Sequence, residues 1–173
     1  MKVVTPISTF SSELDKKIPE EKQVTIFLAG GISNCPDWQS SMIESFGEST
    51  QSPYVILYNP RRSHINLKDI DVARQQIRWE HEQLVKSEII LFWFPKESIC
   101  PITLFELGRW TGELNKTVFV GVDPDYSRKV DIEEQMKLVR PKMKIAESLS
   151  DLYEQVINTV NTMIQIKLLQ FFL

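Results

Sequence analysis

The sequence predicts an α/β fold, with a doubly wound parallel sheet of five strands in the order 2-1-3-4-5 and helices on both faces. Two observations lead to this prediction. Short apolar segments alternate along the chain with longer amphipathic ones, as in strands joined by crossover helices. One segment, 89–94, is a continuous apolar run (Ile-Ile-Leu-Phe-Trp-Phe), which is typical of a strand buried on both faces. Such sheets bind ligands beyond the carboxyl ends of their strands, where the strand order reverses.

Five segments have the length and composition of strands, and each is followed by a turn or loop. The predicted strands are 24–29, 54–58, 89–94, 117–122 and 143–146. The first runs directly into Gly30 and Gly31, which allow a sharp turn or a close approach of the backbone to a ligand. The region 1–23 is polar and interrupted by prolines, so we expect an irregular N-terminal segment before a single domain at 24–173.

Amphipathic segments between the strands predict the helices. They span about 36–47, 69–86, 101–115 and 132–139, and a last helix begins after Ser148. Pro101 is well placed as a first helical residue, because proline lacks the amide hydrogen that this position leaves unused. The apolar tail 164–173 is expected to pack on this domain or on a neighbouring subunit.

Composition narrows the class of protein. The 173 residues carry a net charge of −3, which gives no field to attract nucleic acid or an anionic membrane. No export signal or membrane-spanning run is recognisable, so the 2 cysteines are expected to be reduced thiols in the cytoplasm. We expect neither a metal nor a cofactor.

Two glutamates are the main candidates for catalysis. Glu106 lies among apolar residues just inside the predicted helix that follows strand 89–94, and Glu80 lies on the helix that precedes it. Two carboxylates facing one pocket suit glycosidic chemistry, in which one attacks or stabilises the anomeric carbon and the other handles a proton. We expect the positive end of its helix to favour ionised Glu106. The alternative is structural pairing of Glu80 with Arg74 or Arg78, and of Glu106 with Arg109.

Further candidates lie at the same predicted edge of the sheet. The candidate substrate-binding residues are Phe27, Gly30, Gly31, Asn59, Arg61, Arg62, Trp79, Trp93, Cys100 and Asp123. Arg61 and Arg62 either bind a phosphate, whose oxygens a guanidinium matches, or belong to a solvated loop. Trp79 and Trp93 either stack on a base or belong to the core. A zinc site formed by Cys35, Cys100 and His64, or a nucleophilic Cys100 with His64 as its base, is a weaker hypothesis because the spacing of these residues is not that of known sites.

Taken together, several motifs resemble the nucleoside 2-deoxyribosyltransferase-like family over about 24–135. The matching motifs are Ile26-Phe-Leu-Ala-Gly-Gly31, Asn59-Pro-Arg-Arg62, Trp79-Glu80, Phe92-Trp-Phe94 and Leu104-Phe-Glu-Leu-Gly108. The resemblance implies a flavodoxin-like fold and cleavage or exchange of the N-glycosidic bond of a (deoxy)nucleoside or nucleotide. It also implies that Glu106 is the glycosyl-accepting nucleophile and that Glu80 meets the base.

Two positions depart from the family pattern. Phe27 stands where the resemblance implies a tyrosine that supports the nucleophile, and Cys100 where it implies an aspartate. These changes leave open hydrolysis or transfer, a nucleotide-binding module without turnover, and a glycohydrolase of a larger nucleotide such as NAD. The resemblance further implies a homodimer or larger homo-oligomer that completes each pocket, with the helix 105–114 and the apolar tail as candidate surfaces.

Overall fold

The computed structural model describes residues 1–11, 18–62 and 69–170. Within these residues a sheet forms from six strands: β1 (Lys2–Val4), β2 (Thr9–Ser11), β3 (Val24–Gly30), β4 (Val55–Tyr58), β5 (Ile89–Phe94) and β6 (Thr117–Val122). The order is β2-β1-β4-β3-β5-β6, and β2 alone among them runs antiparallel to its neighbour. The segment β4-β3-β5-β6 has the predicted order 2-1-3-4, so the doubly wound α/β fold is confirmed.

Both edges of the sheet differ in detail from the prediction. The N-terminal region is not wholly irregular, since β1 pairs in parallel with β4 and extends the sheet on that side. At the other edge the predicted fifth strand is reduced to one bridge between Gly121 and Ala146. Ala146 accepts a hydrogen bond from the amide of Val122 and donates one to the carbonyl of Val120. A turn bond from Met143 to the carbonyl of Arg140 keeps the rest of that segment out of the ladder.

Five helices cover the two faces in the described residues: α1 (Trp38–Glu48), α2 (Ile70–Lys86), α3 (Pro101–Thr111), α4 (Lys129–Val139) and α5 (Leu149–Leu169). Side-chain oxygens cap three of them, from Asp37 for α1, Asp69 for α2 and Ser148 for α5. These caps satisfy amide groups that have no partner within a helix. No helix in these ranges has the length and hydrophobicity needed to cross a bilayer.

Alternation along the strands divides the core into two layers. Ile89, Leu91 and Trp93 of β5 join the layer formed with α1 and α5. Phe92 and Phe94 join the opposite layer, which contains residues of α2, α3 and α4. Successive side chains of a strand point to opposite faces, so β5 is buried on both sides, as its apolar run predicts. This alternation also decides which strand side chains can reach the cavity that is described in the next section.

Candidate active site

A cavity of about 660 Å³ lies between α2 and α3, beside the carboxyl end of β3. Its volume falls in the range of small-molecule sites. From β3 and the following loop it is lined by Phe27, Ala29, Gly30, Gly31, Ile32 and Ser33; from α2 it is lined by Ala73, Gln76, Ile77, Glu80, His81 and Leu84. The wall formed by α3 and the loop before it includes Ser98, Cys100, Ile102, Thr103, Phe105, Glu106 and Arg109. The cavity therefore lies at the predicted switch point, next to β3 and the chain that leaves β5.

Both predicted carboxylates line this one cavity. Burial is the main cause that raises the pKa of Glu106 to about 7, and the negative charge of Glu80 raises it further. Burial also raises the pKa of Glu80, while a hydrogen bond from Gln76 and the positive charge of Arg62 act in the opposite direction. Because the two groups repel each other when both are ionised, a state with one proton on the pair is favoured over the doubly ionised state. The cavity thus holds two carboxyl groups that can exchange the roles of acid and base.

Gln76 fixes the position of Glu80. Its Nε2 donates to Glu80 Oε1 at 2.7 Å and to the carbonyl of Pro60 at 2.9 Å. A carbonyl oxygen and an ionised carboxylate can only accept hydrogen bonds. The NH₂ group of Gln76, not its oxygen, therefore faces both of them. Gln76 lies one turn before Glu80 on the same stripe of α2, a spacing at which helical side chains meet. That spacing is visible in the sequence and is a signal that would have found this residue.

The start of α3 places Glu106 in the wall. Pro101 is the first helical residue, as predicted, and Cys100 before it has a left-handed backbone with φ 50 and ψ 55. Glu106 therefore lies in the second turn, beyond the reach of most of the helix dipole. The help expected from the helix dipole is outweighed by burial, which raises the pKa of Glu106.

Among the described residues, neither Glu80 nor Glu106 forms the alternative ion pairs with Arg74, Arg78 or Arg109. Arg74 pairs with Asp71, with Nη1 and Oδ1 3.4 Å apart. The guanidinium of Arg109 lies over the ring of Trp110, 4.6 Å from its centroid, and Nη1 lies 3.2 Å from His81 Nδ1. Arg109 and His81 both line the cavity. Sequence reasoning missed both as ligand-facing residues, because only the packing of α2 against α3 brings them together.

The glycine pair after β3 is required by close packing, and neither glycine has a positive φ. A Cβ on Gly30 would lie 2.5 Å from Trp38 Cζ2 and 2.5 Å from the carbonyl oxygen of Trp93. A Cβ on Gly31 would lie within 3 Å of the sulfurs of two cysteines and of Pro95 Cγ. Glycine at both positions lets β3 and its loop approach β5, which brings the loop to the cavity edge.

Arg61 holds this loop and does not line the cavity. Its Nε donates to Gln39 Oε1 at 2.9 Å and lies 3.1 Å from Asp37 Oδ1. Its Nη2 donates to the carbonyl of Pro36 at 2.9 Å and, more weakly, to that of Gly31 at 3.5 Å. With its guanidinium engaged by protein acceptors, Arg61 fits a structural role, and the phosphate-binding prediction remains only for Arg62.

Replacing Arg61 tests this assignment. We expect Arg61→Ala to lower the free energy of unfolding by about 1.5–3 kcal/mol, since it leaves several acceptors without their charged donor. The KM values for nucleosides and for 5′-nucleotides should change by the same factor. Thermal unfolding and steady-state kinetics measure the two effects, with Arg61→Lys as the matched control that keeps the charge and loses the planar fork. An unchanged Tm with a higher KM for nucleotides alone would restore the phosphate role.

Six of the twelve predicted site residues line the cavity: Phe27, Gly30, Gly31, Glu80, Cys100 and Glu106. The other six are Asn59, Arg61, Arg62, Trp79, Trp93 and Asp123. The stacking hypothesis fails for Trp93, because its ring lies in the layer of α1 and α5, and Trp79 packs behind Phe27, with ring centroids 6.3 Å apart.

Two of the remaining predicted residues stabilise turns instead. Asn59 Oδ1 accepts from the amide of Arg61, and Asp123 Oδ1 accepts from the amide of Asp125, each at 3.0 Å. Asp123 follows β6, one strand further from the cavity than β5. Asp123 does not line the cavity, so the cavity gives no support to its predicted role in substrate binding.

The zinc and cysteine hypotheses depend on His64, which lies outside the described residues. Within the described ranges, no three His, Cys, Asp or Glu side chains are grouped so as to hold a metal ion. Cys35 and Cys100 are free thiols in this part of the chain.

The fold and the cavity define a class: doubly wound α/β proteins with a cavity of small-molecule size at the switch point of the sheet. Within that class, the chain belongs to the nucleoside 2-deoxyribosyltransferase-like family, whose model matches residues 23–126. At the level of the family, this membership supports glycosyl transfer by a transferase-like enzyme and the binding of a small nucleoside.

A solved structure agrees with the fold. The chain is similar to a conserved protein from Enterococcus faecalis V583, with a TM-score of 0.52 and 15% sequence identity. The match covers 79% of this chain and 99% of that chain. At this identity the likeness concerns the architecture alone. No curated protein sequence matches the chain.

Proposed function

We propose that the protein cleaves or transfers at the N-glycosidic bond of a (deoxy)nucleoside or nucleotide, with Glu106 as the nucleophile and Glu80 as the group that handles the proton of the base. The observation that carries this proposal is the placement of both carboxyl groups in the wall of one cavity, with raised pKa values. Structural carboxylates on helices are normally solvated or paired. Two that share a buried cavity are typical of glycosidic sites.

The reaction follows from the charge state of the pair. A carboxylate oxygen of ionised Glu106 forms a bond to C1′ while the bond from C1′ to the base breaks and the base takes the proton of neutral Glu80. Water or a second base then attacks C1′, Glu80 accepts its proton, and the ester to Glu106 breaks. The reactive state has one proton on the pair, and mutual repulsion disfavours the loss of that proton to give two ionised groups.

A binding module without turnover is the second candidate. Phe27 contributes an apolar ring to the cavity, backed by Trp79. Cys100 contributes a thiol at a position where the resemblance implies a carboxylate. Both changes remove polar groups from the neighbourhood of the nucleophile, which favours hydrolysis, a different substrate or binding alone over the same transferase activity.

Incubation with a panel of nucleosides and 5′-nucleotides, with and without a second base, tests the proposal through release of free base. We expect release from at least one member, and kcat/KM should fall as the pH is lowered through about 7, the pKa of Glu106. The sign follows because a protonated carboxyl group is a poor nucleophile. Binding without release from any member would favour the module, and neither binding nor release would contradict both candidates.

A homodimer or larger assembly remains a prediction. Trp110, expected to need a partner surface, is buried within its own subunit at 2% exposure. Phe105 and Leu114, at the two ends of the predicted surface, are 73% and 81% exposed. These side chains support the α3 region as the surface more directly than Trp110 does. The end of the apolar tail, 171–173, lies outside the described residues.

A further inference from the structure

The 2 cysteines of the chain meet on one side of Gly31. A Cβ on Gly31 would lie 2.7 Å from Cys35 Sγ and 2.9 Å from Cys100 Sγ. The two sulfurs are near the same point, so the distance between them is no greater than the sum of these two distances. Since glycine has no side chain, both thiols occupy space that a Cβ at this position would need. Residues 65 positions apart in the chain are thus brought together at the edge of the cavity.

Each sulfur donates one hydrogen bond to a nearby carbonyl group, and Cys35 also interacts with the guanidinium of Arg61. Cys35 Sγ donates to the carbonyl of Ser33 at 3.4 Å, and Cys100 Sγ donates to the carbonyl of Ser98 at 3.3 Å. Thiols are weak donors, so rotation about the side-chain bonds loses little energy. Cys100 is fixed at the start of α3. Cys35 lies in the loop between Gly31 and Pro36, whose carbonyl groups are both bound by Arg61. Residues 32–35 lie between these two anchored carbonyl groups.

We propose that Cys35 and Cys100 are a reversible oxidation site, at which a disulfide forms and displaces the loop 32–35 at the cavity edge. A disulfide requires the sulfurs to approach to about 2.05 Å. The helix anchors Cys100, so the loop provides the movement. Ile32 and Ser33 line the cavity and move with Cys35. An effect on turnover rests on the proposed function, whereas the bond and the movement of the loop do not.

A peroxide is the oxidant that balances the reaction. The thiolate of Cys35, the more exposed of the two, attacks one oxygen; the O–O bond breaks, hydroxide leaves and a sulfenic acid remains. The thiolate of Cys100 then attacks that sulfur, the S–O bond breaks and hydroxide leaves, and the two hydroxides take up the protons released by the two thiols. In total, two thiols and one peroxide give one disulfide and two waters. Burial raises the pKa of both thiols, and Arg61 opposes this at Cys35, so the reaction should be faster at alkaline pH.

Treatment of the full chain with hydrogen peroxide at about pH 8.5 tests the proposal. We expect peptide mapping to find one linked pair of peptides containing Cys35 and Cys100, with the loss of both free thiols and recovery by dithiothreitol. The Tm should rise by roughly 5–10 °C, because the bond closes a long loop of the unfolded chain. Hydrogen–deuterium exchange at 32–35 should change on oxidation. If the proposed function also holds, turnover of the linked form should fall severalfold.

Cys35→Ser is the matched control. Each protein, wild type and variant, is compared after peroxide treatment with its own reduced form. Peroxide should leave its Tm and its exchange at 32–35 unchanged. Retention of two thiols in the wild-type protein, links between separate chains, or sulfinic acid at Cys35 without a link would overturn the oxidation site. A linked protein whose exchange at 32–35 equals that of the reduced form would overturn the displacement of the loop. Loss of the proposed function appears separately, as absence of turnover in the reduced protein.

Discussion

Glu106→Gln is expected to lower kcat/KM by at least about a thousandfold, because an amide cannot attack the anomeric carbon and leaves no covalent route. In the wild-type protein, mass spectrometry of rapidly quenched reactions should find a sugar attached to Glu106. The matched control is Glu82→Gln, which makes the same chemical change at an exposed position of α2. Full activity in Glu106→Gln would contradict the assignment of the nucleophile.

The same variant should be more stable than the wild-type protein at alkaline pH. The folded-state pKa of Glu106, about 7, is above its ordinary value of 4.5. Folding therefore takes up a proton between these values, and the wild-type free energy of unfolding falls as pH rises through this range. The penalty is complete above pH 7 and amounts to about 3 kcal/mol at most. Thermal unfolding at pH 5 and pH 8 should show a difference in Tm that grows with pH. A lower Tm at pH 8 would indicate a damaged fold instead.

Glu80→Gln is expected to lower kcat/KM by about a hundredfold to ten-thousandfold, the usual contribution of a general acid or base. A glutamine at this position still accepts the hydrogen bond from Gln76, so the wall of the cavity is retained. Deoxyribosides with a leaving group that departs without a proton, such as a nitrophenolate, should lose much less activity. Glu82→Gln again serves as the control, and an equal loss with every leaving group would contradict the role in proton transfer.

Glu80→Gln should also shift the pH profile measured with such a nitrophenyl substrate. The negative charge of Glu80 is one cause of the raised pKa of Glu106. Its removal lowers that pKa, so the acidic limb of kcat/KM should move below pH 7. Rate measurements from pH 5 to pH 9 detect the shift. An acidic limb that stays in place would show that the two carboxyl groups do not interact, and that Glu80 affects the rate by another route.

The sequence was sufficient for the main elements because they are encoded locally. The apolar run at 89–94 and the proline at 101 predict β5 and the start of α3 at their observed positions. The short strands β1 and β2 were missed, since three residues give no periodicity and β1 is stabilised by pairing with β4. The predicted fifth strand, 143–146, was overestimated: it forms only a single bridge, from Ala146 to Gly121. Its local composition suits a strand, but a turn uses its first amide.

Side-chain roles were harder to predict where they depend on the face of an element or on distant partners. Both glutamates reach the cavity because each lies on a helix that flanks it. Trp93 does not, because a run of apolar residues conceals which members face which layer. Arg61 was considered for phosphate from its type and position after β4. Its acceptors belong to the loop after β3 and to α1, which no local pattern reveals.

The carbonyl of Gly31 has a consequence for the thermodynamics of ligand binding. It accepts from Trp38 Nε1 at 2.9 Å and from Gln39 Nε2 at 3.3 Å, in addition to the weaker contact from Arg61. Trp38 and Gln39 are buried in the first turn of α1, so this point of the cavity edge is already ordered before a ligand arrives. Ordering a backbone residue costs about 1–2 kcal/mol in conformational entropy. A ligand that binds at this edge does not have to order this residue. A larger share of the free energy of its contacts therefore contributes to the binding affinity.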